Sequence, residues 1–545
     1  MLAIWHRIII MHFVLAIVIP EDARKAFDVV CQQKLKWKLY HSDISRELWL
    51  MMDAMYSGGT ERFRLGGEFS RPYTVLQGVK QGGKSSPNNY KCYIYDMLAR
   101  FERAGLGFFI GPIYVGTPTC ADDVALIASD GCQAQAMLDV SYAYSKEHKY
   151  DIHPVKTTAT VMYEPKEEKV DADWLLGEDP LKNVDEFEHL GLLWRKGQTS
   201  PDIEEIISGA RRRSYSLMSA GLHGENGLSP FISLKIIKTY ILPKLLAGLD
   251  GAIISEKDVI KLEMYHRKLL RIIQGLPENT ASCAVYLMAG TIPLRGLLHM
   301  RIMSLFGNIS RLKTDTPLYR LALRQSSLAS SRPNSWFTQL HLLGRTYRID
   351  THGALAQPWE KEPWKAHCKA LITSHWHKTL LQDYHERKTL KHIELSPTPE
   401  LRHPHPMWFA ARMDPYLAPA TAVRAKAMVG RLSLSYAPWK QDTICPLCET
   451  EPETMTHFIA RCPSLNLIRT PLLIQLAHFY TDEGEPPPSS ETEITSACLN
   501  GDKYVSDTLK EAITIKNDNA QNFCSRFCQK MYKERDYIIN DKLMQ

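Results

Sequence analysis

Two neighbouring aspartates, Asp122 and Asp123, sit between the apolar runs Ile113-Tyr114-Val115 and Val124 to Ala128. That pattern predicts a β-hairpin with two carboxylates at its tip, and adjacent carboxylates repel until a divalent cation relieves them. A third acid, Asp22, follows an apolar run and opens the segment Asp22-Ala23-Arg24-Lys25-Ala26-Phe27-Asp28. Each acid alone has an ordinary use as a turn former or helix cap. Three carboxylates brought together can clamp two Mg²⁺ about 4 Å apart, the arrangement that drives in-line phosphoryl displacement.

Between these acids lies Leu76-Gln77-Gly78-Val79-Lys80-Gln81-Gly82-Gly83-Lys84-Ser85-Ser86-Pro87. Three glycines and a Ser-Pro step predict a loop that opens into a helix at Pro87, a favoured first helical position. Loop N–H groups and lysines there suit a nucleotide or a template strand, although most glycine-rich loops are only turns.

Near the other end, Cys445, Cys448, His457 and Cys462 have the spacing C-x2-C-x8-H-x4-C. Three thiols and an imidazole suit tetrahedral Zn²⁺ with no open position, a structural site. Zinc would order a segment too poor in apolar mass to fold unaided. A basic region precedes it in the chain. Ser255-Glu256-Lys257-Asp258 has the form of a capping box, and the helix that follows puts Val259, Leu262, His266, Leu269, Leu270 and Ile273 on one face. Lys257, Lys261, Lys268 and Arg271 fall on the opposite face, and Arg211-Arg212-Arg213 adds a cluster upstream. Over residues 211–271 there are 11 Lys/Arg against 5 Asp/Glu, a local +6 that equals the net charge of the whole chain.

These groups need scaffolds. The chain has 545 residues, 44% hydrophobic and 23% charged, enough for sizeable cores and incompatible with disorder throughout. Residues 1–165 alternate short apolar runs with Gly/Pro turns, an α+β pattern. Residues 205–310 read as helical. Residues 311–435 are rich in His, Trp and Arg; the histidines from His367 to His405, near Trp364, Trp376 and Trp408, lack a compact ligand spacing and read as helical packing. Asp482 to Ser490 reads as an acidic linker, and a helical tail carries Cys524 and Cys528, which read as ordinary thiols. The twelve cysteines are scattered along the chain, which reads as reduced thiols plus one metal cluster and hence an intracellular setting, nuclear and/or cytoplasmic. The apolar run Ile8 to Ile19 resembles the h-region of a signal peptide but lacks a small-x-small cleavage site, and it is too short to span a bilayer. A buried β-strand running into the Asp22 loop is the better reading, and no membrane partner is expected.

The order of the acidic motifs carries a resemblance. An aspartate at a strand end, a Gln-Gly loop with Ser-Pro, then an Asp-Asp hairpin resembles the palm of a reverse transcriptase, with wording close to non-LTR (LINE-type, jockey-like) retrotransposons. Pro154-Val155-Lys156-Thr157 resembles the fourth motif of that family and His189-Leu190-Gly191 its primer-grip turn. The resemblance implies that Asp22, Asp122 and Asp123 hold two catalytic Mg²⁺ and that Lys156 protonates the leaving pyrophosphate. It also implies that Phe27 excludes a 2′-hydroxyl, and that Gln81, Gly82 and Ser86 line the incoming nucleotide and template. Asp28 has no metal role in this scheme and is expected to be structural or to start a helix. Pro20-Glu21, Lys84-Ser85 and Asn88-Asn89 depart from positions that are apolar in the family.

The fold implied is α+β: a right-hand polymerase palm with its fingers largely missing, then a helical thumb, a helical region and a C-terminal zinc knuckle. The boundaries expected are 1–195 for the palm, 196–310 for the thumb-like region, 311–439 for a region of unknown role, 440–465 for the knuckle and 466–545 for linker and tail. About twenty residues precede Asp22, so a truncated element is expected. The implied partners are an RNA template, a DNA primer or target, and dNTPs, with Arg211, Arg212, Arg213, Lys257, Lys261, Lys268 and Arg271 tracking phosphates. The rival reading is a catalytically inactive nucleic-acid-binding remnant of such an element.

Overall fold

The computed structural model describes residues 15–163, 173–198, 201–224, 226–328, 335–393, 404–435, 443–482, 486–500 and 514–544. Residues 8–14 of the apolar run and 483–485 of the expected linker lie outside them. Two compact units form: Met1–Asp202 with Gly251–Ile253 and Ile309–Gln339, and Ile203–Asp250 with Ile254–Asn308 and Leu340–Gln545.

The first unit is built on a five-stranded sheet. Its strands are β1 (Ala16–Glu21), β2 (Thr119–Cys120), β3 (Asp123–Ala128), β4 (Thr158–Tyr163) and β5 (Lys182–Asn183), in the order β5-β4-β1-β3-β2. β1 is central and buried along its whole length, which is why its sequence is a continuous apolar run rather than an alternating one. Both its neighbours are antiparallel to it. Pro20 is tolerated in this central strand because the β4 partners of β1 end at Val18, leaving only β3 beside it, with Ala125 opposite. The hairpin that carries the Asp-Asp pair is not the one expected. Its first arm is the two-residue strand Thr119–Cys120, whereas Ile113–Tyr114 folds back on Phe109–Ile110.

Three helices, α1 (Gln32–Tyr40), α2 (Ser86–Arg103) and α3 (Gly131–His148), contribute to the core of this unit. Ile17 and Ile19 of β1 share that core with Tyr93, Ile94, Met97 and Phe101 of α2, with Met137, Leu138 and Tyr144 of α3, and with Leu35 and Leu39 of α1. Local signals set the helix ends. Pro87 starts α2, the Asp130 carboxylate accepts from Gln133 N–H at the start of α3, and Lys149 closes α3 in the left-handed region. The Lys38 side chain is buried, donates to the Tyr93 carbonyl and the Tyr144 hydroxyl at 2.5 Å each, and pairs with Asp96 at 2.9 Å. Burial holds its ammonium below the usual lysine range. Residues Ile309–Gln339 belong to this unit, with the helix Pro317–Leu328 packed on Ile113–Tyr114.

The described part of the second unit is helical. The helices used below are α4 (Glu256–Ile273), α5 (Leu294–Ser310), α6 (Lys361–His385) and α7 (Thr514–Met544). The helix starts and ends as expected: Ser255 Oγ accepts from Asp258 N–H at 3.2 Å and donates to the Asp258 carboxylate at 2.7 Å, and the helix ends at Ile273. Leu262, His266, Leu269, Leu270 and Ile273 are buried. The tryptophans of the His/Trp-rich stretch are packing residues with specific seats. Trp364 lies against Gly307 so closely that a Cβ there would meet its Cδ1 at 2.2 Å, and Trp376 approaches Gly296 likewise at 2.6 Å. Their indole N–H groups donate to Met303 O (2.7 Å) and the Tyr347 hydroxyl (2.9 Å). Two glycines on α5 thus admit two indoles from α6. Among the described residues no single helix is long and apolar enough to cross a membrane. One bent pair, Ser282–Ala289 and Leu294–Ser310, passes by length and composition together.

Candidate active site and metal-binding knuckle

The register of the sheet assembles the acidic motifs. β1 and β3 pair from Ile17–Ala128 to Glu21–Val124, so Asp22 and Asp123 are the next residue of each strand at that end of the ladder. Asp122 falls in the turn between β2 and β3, which Ala121 enters in the left-handed region at φ 57°. Partial burial raises the Asp123 carboxyl above the usual range, with repulsion from Asp122 and then Asp22 adding to it. The electrostatics of a cation site are therefore present in the side chains themselves.

Asp22 is fixed from the other side by the segment after α3. Its N–H donates to Thr157 Oγ1 at 3.3 Å, its carbonyl accepts from His153 N–H at 2.8 Å, and Ala23 bridges Ile152. This places Lys156 Nζ 3.3 Å from Asp22 Oδ2. In chain order these are the residues that resemble the first, third and fourth palm motifs, and the sheet brings them to one end.

The glycine loop is stitched to the segment after Asp22. Val79 N–H donates to Phe27 O and Gly78 N–H to Val30 O, at 2.7 and 2.8 Å. Gly78 has φ 91°, and a Cβ there would meet the Asp28 carbonyl oxygen at 2.9 Å, so only glycine fits. Gln81 and Gly82 are exposed at the loop tip. Ser86 does not join them: it is buried and its hydroxyl donates to Lys80 O at 2.6 Å, closing the turn that starts α2. Phe27 is half-buried, with its ring on Tyr90 of α2 (centroids 5.4 Å apart, planes at 28°). Asp28 starts no helix; it lies in a turn, and α1 begins only at Gln32.

One feature escapes a reading by motif. Glu21, beside Asp22, turns into a small pocket lined by Ala23, Tyr90, Asp122, Tyr150 and Ile152. Burial pushes its carboxyl up to about 7. The signal was present as an acid closing an apolar strand. His189-Leu190-Gly191 is a tight turn between β6 (Glu186–His189) and β7 (Leu192–Arg195), with Leu190 and Gly191 at φ 52° and 73°.

The basic residues of the second unit fall into two groups. Arg211, Lys257 and Lys268 are exposed, with Lys268 only 3.8 Å from Glu278. Others have partners within the chain. Lys261 pairs with Glu204 at 2.5 Å, Arg212 with Glu205 at 2.6 Å, and Arg271 donates to Thr280 O at 2.9 Å. Arg213 stacks over the Tyr240 ring at 5.4 Å and donates to its carbonyl. The expectation of one free basic face on α4 therefore holds for only part of it, because helical spacing does not show which acids a distant segment will deliver.

Cys445, Cys448, His457 and Cys462 converge, with ligand atoms all within 4.8 Å of one another; Asp22, Asp122 and Asp123 are not gathered that tightly. Cys445 and Cys462 Sγ are 3.9 Å apart, against about 3.8 Å for two sulfurs at 2.3 Å on a tetrahedral ion. His457 Nε2 lies 3.3 Å from Cys448 Sγ, while Nδ1 faces Glu451 at 3.4 Å, an acceptor suited to a metal-ligating imidazole. Desolvation opposes ionisation of the Cys448 thiol. It is outweighed by hydrogen bonds from the Thr450 hydroxyl and nearby backbone N–H groups, which bring the thiol down to about 6. The donor set fits a structural metal ion.

Residues 16–193 match the family described as reverse transcriptase (RNA-dependent DNA polymerase). The chain is similar to the Pol polyprotein of the type-1 retrotransposable element R2 of Nasonia vitripennis, 24% identical over 268 residues, which are 48% of this chain and 25% of that polyprotein. The R2 polyprotein of Popillia japonica is 23% identical over 279 residues, 49% of this chain and 43% of the relative. The matched region thus spans less than half of either relative. Reverse transcriptases have a palm-type polymerase fold and use divalent metal ions, and the match to that family runs from Ala16 to Leu193.

Proposed function

We propose that this chain is an RNA-directed DNA polymerase of a non-LTR retrotransposon, extending a DNA primer 3′-hydroxyl with dNTPs on an RNA template. The observation that carries the reading is the position of Asp22 and Asp123 at the same end of the β1–β3 ladder with Asp122 in the adjoining turn. Bound there, two Mg²⁺ would supply activation of the attacking hydroxyl and neutralisation of the leaving pyrophosphate. Asp22, Asp122 and Asp123 hold the ions. Lys156, already beside Asp22, gives a proton to the pyrophosphate oxygen as it leaves. Phe27, backed by Tyr90, is the residue that excludes a 2′-hydroxyl in this reading. Gln81 and Gly82 meet the nucleotide and template from the loop.

In this reading the palm extends to about residue 195, and residues 196–310 act as a thumb whose exposed cations, Arg211, Lys257 and Lys268, follow duplex phosphates. The knuckle at 440–465 holds one structural Zn²⁺ through Cys445, Cys448, His457 and Cys462. The protein acts inside the cell, where its template and target are. The Lys156–Asp22 ion pair favours the alternative of an inactive nucleic-acid-binding remnant, because it supplies a cation to Asp22 from the protein itself. Primer extension on an RNA template with dNTPs and Mg²⁺, compared with an Asp122→Asn, Asp123→Asn variant, separates the two.

A further inference from the structure

The C-x2-C turn of the knuckle is held from outside by the last turns of α7. Lys542 Nζ donates to the carbonyl oxygens of Pro446 and Leu447, both at 3.1 Å, and pairs with Glu449 Oε1 at 2.7 Å. Ser464 Oγ donates to the same Leu447 oxygen at 3.1 Å. Glu449 stands in the left-handed region at φ 59°, a conformation that glycine adopts at least cost. A side chain there is uncommon, and this one is paired with Lys542, which keeps its carboxyl below the usual range.

Two helical turns earlier on the same face of α7, Arg535 grips the other end of the ligand loop. Its Nε and Nη2 donate to the two Glu453 oxygens at 2.6 and 2.9 Å, and the two side chains are 8% and 0% exposed. Glu453 is itself a junction. Its carboxylate accepts from Ser435 N–H at 2.5 Å and its N–H donates to Thr443 O at 2.8 Å, next to the Ile444–Pro452 bridge that closes the base of the loop. One helix therefore touches both the tip and the base of the segment that carries Cys445 and Cys448.

We infer that the C-terminal turns of α7 and the metal-bound knuckle form one cooperative unit, in which Arg535 and Lys542 are positioning residues for the thiol ligands. This rests on the reading of the Cys/His set as a zinc site. Docking of the helix orders the turn that aims Cys445 and Cys448, and by linkage the ion strengthens docking of the helix by the same factor. The Pro446 and Leu447 carbonyls are engaged by Lys542, so the tip of this knuckle is an internal joint.

The test measures zinc affinity of the full chain by competition with a chromophoric chelator, for wild type, Lys542→Met and Lys542→Arg, with hydrogen exchange of the 530–544 region read with and without zinc. Lys542 is half-exposed, so its variants keep the fold even if an Arg535→Met variant does not. The inference expects zinc affinity to fall roughly tenfold in Lys542→Met and to recover in Lys542→Arg, and exchange at the end of α7 to quicken when zinc is removed. Equal affinity in wild type and Lys542→Met, or exchange that ignores zinc, overturns the coupling alone. A wild-type chain that binds no zinc overturns the zinc site and the coupling with it.

Discussion

Asp22 and Asp123 follow the last registered pair of β1 and β3, Glu21 with Val124, and lie close enough for the Asp22 charge to act on the Asp123 carboxyl. Like charges close together destabilise a fold; the Asp123 carboxyl is raised first by partial burial, then by repulsion from Asp122 and Asp22. Removing one charge relieves the fold while emptying the site. Asp123→Asn is expected to raise thermal stability in metal-free buffer by about 0.5 kcal/mol and to abolish Mg²⁺-dependent synthesis. A melting curve with EDTA, run beside the activity assay, checks both halves; a variant that melts lower than wild type would contradict the strain.

The α5–α6 contact is equally specific. Gly307→Ala drives a methyl into the Trp364 indole, which is buried and hydrogen-bonded to Met303 O. Overpacking of this kind costs about 1–3 kcal/mol. Chemical denaturation should show the loss, and Trp364→Leu in the same chain should recover part of it by making room.

The second unit also contains histidines that burial keeps neutral. His266 and His405 are pushed down to about 3, and His299 and His341 to about 4. An unfolded histidine takes up its proton near pH 6.5. Between those values the unfolded chain binds more protons than the folded one, so stability falls as pH drops below about 6.5. Melting temperatures at pH 7 and pH 5 test this, at roughly 2–4 °C for each kcal/mol lost. An unchanged or higher value at pH 5 would refute it.

Charge neutralisation on α4 should divide by partner. Lys257→Ala and Lys268→Ala remove exposed cations, so each is expected to weaken RNA binding and lower the salt slope by about 1, without changing stability. Lys261→Ala and Arg271→Ala break the contacts with Glu204 and Thr280, so they should act on melting temperature more than on the slope. Equal effects of all four on the slope would show that the internal contacts open when RNA binds.

What a reader of the sequence can see here is mostly local. The N-cap at Ser255, the loop into α2 at Pro87 and the turn at Asp122 are decided within a few residues, and they are where expected. The strand end at Asp22 and the turn at Asp122 were legible for the same reason, since strand ends and turns announce themselves. Ser86 was misplaced because its hydroxyl meets a carbonyl from its own loop, and nothing in a Ser-Pro step tells substrate from helix start. The arm of the Asp-Asp hairpin was misplaced because Thr119–Cys120 is too short to show a period. Lys261 with Glu204, Trp364 on Gly307 and Lys542 on the knuckle turn join segments far apart in the chain, and no spacing rule reaches them.

The central claim is that the Asp22, Asp122 and Asp123 cluster performs nucleotidyl transfer. Primer extension on an RNA template with the purified chain, dNTPs and Mg²⁺, beside Asp122→Asn, Asp123→Asn, tests it most directly. The account predicts extension by the wild type and none by the variant. Absence of extension by both, with RNA still bound in a salt-dependent manner, would contradict the polymerase and leave a nucleic-acid-binding protein.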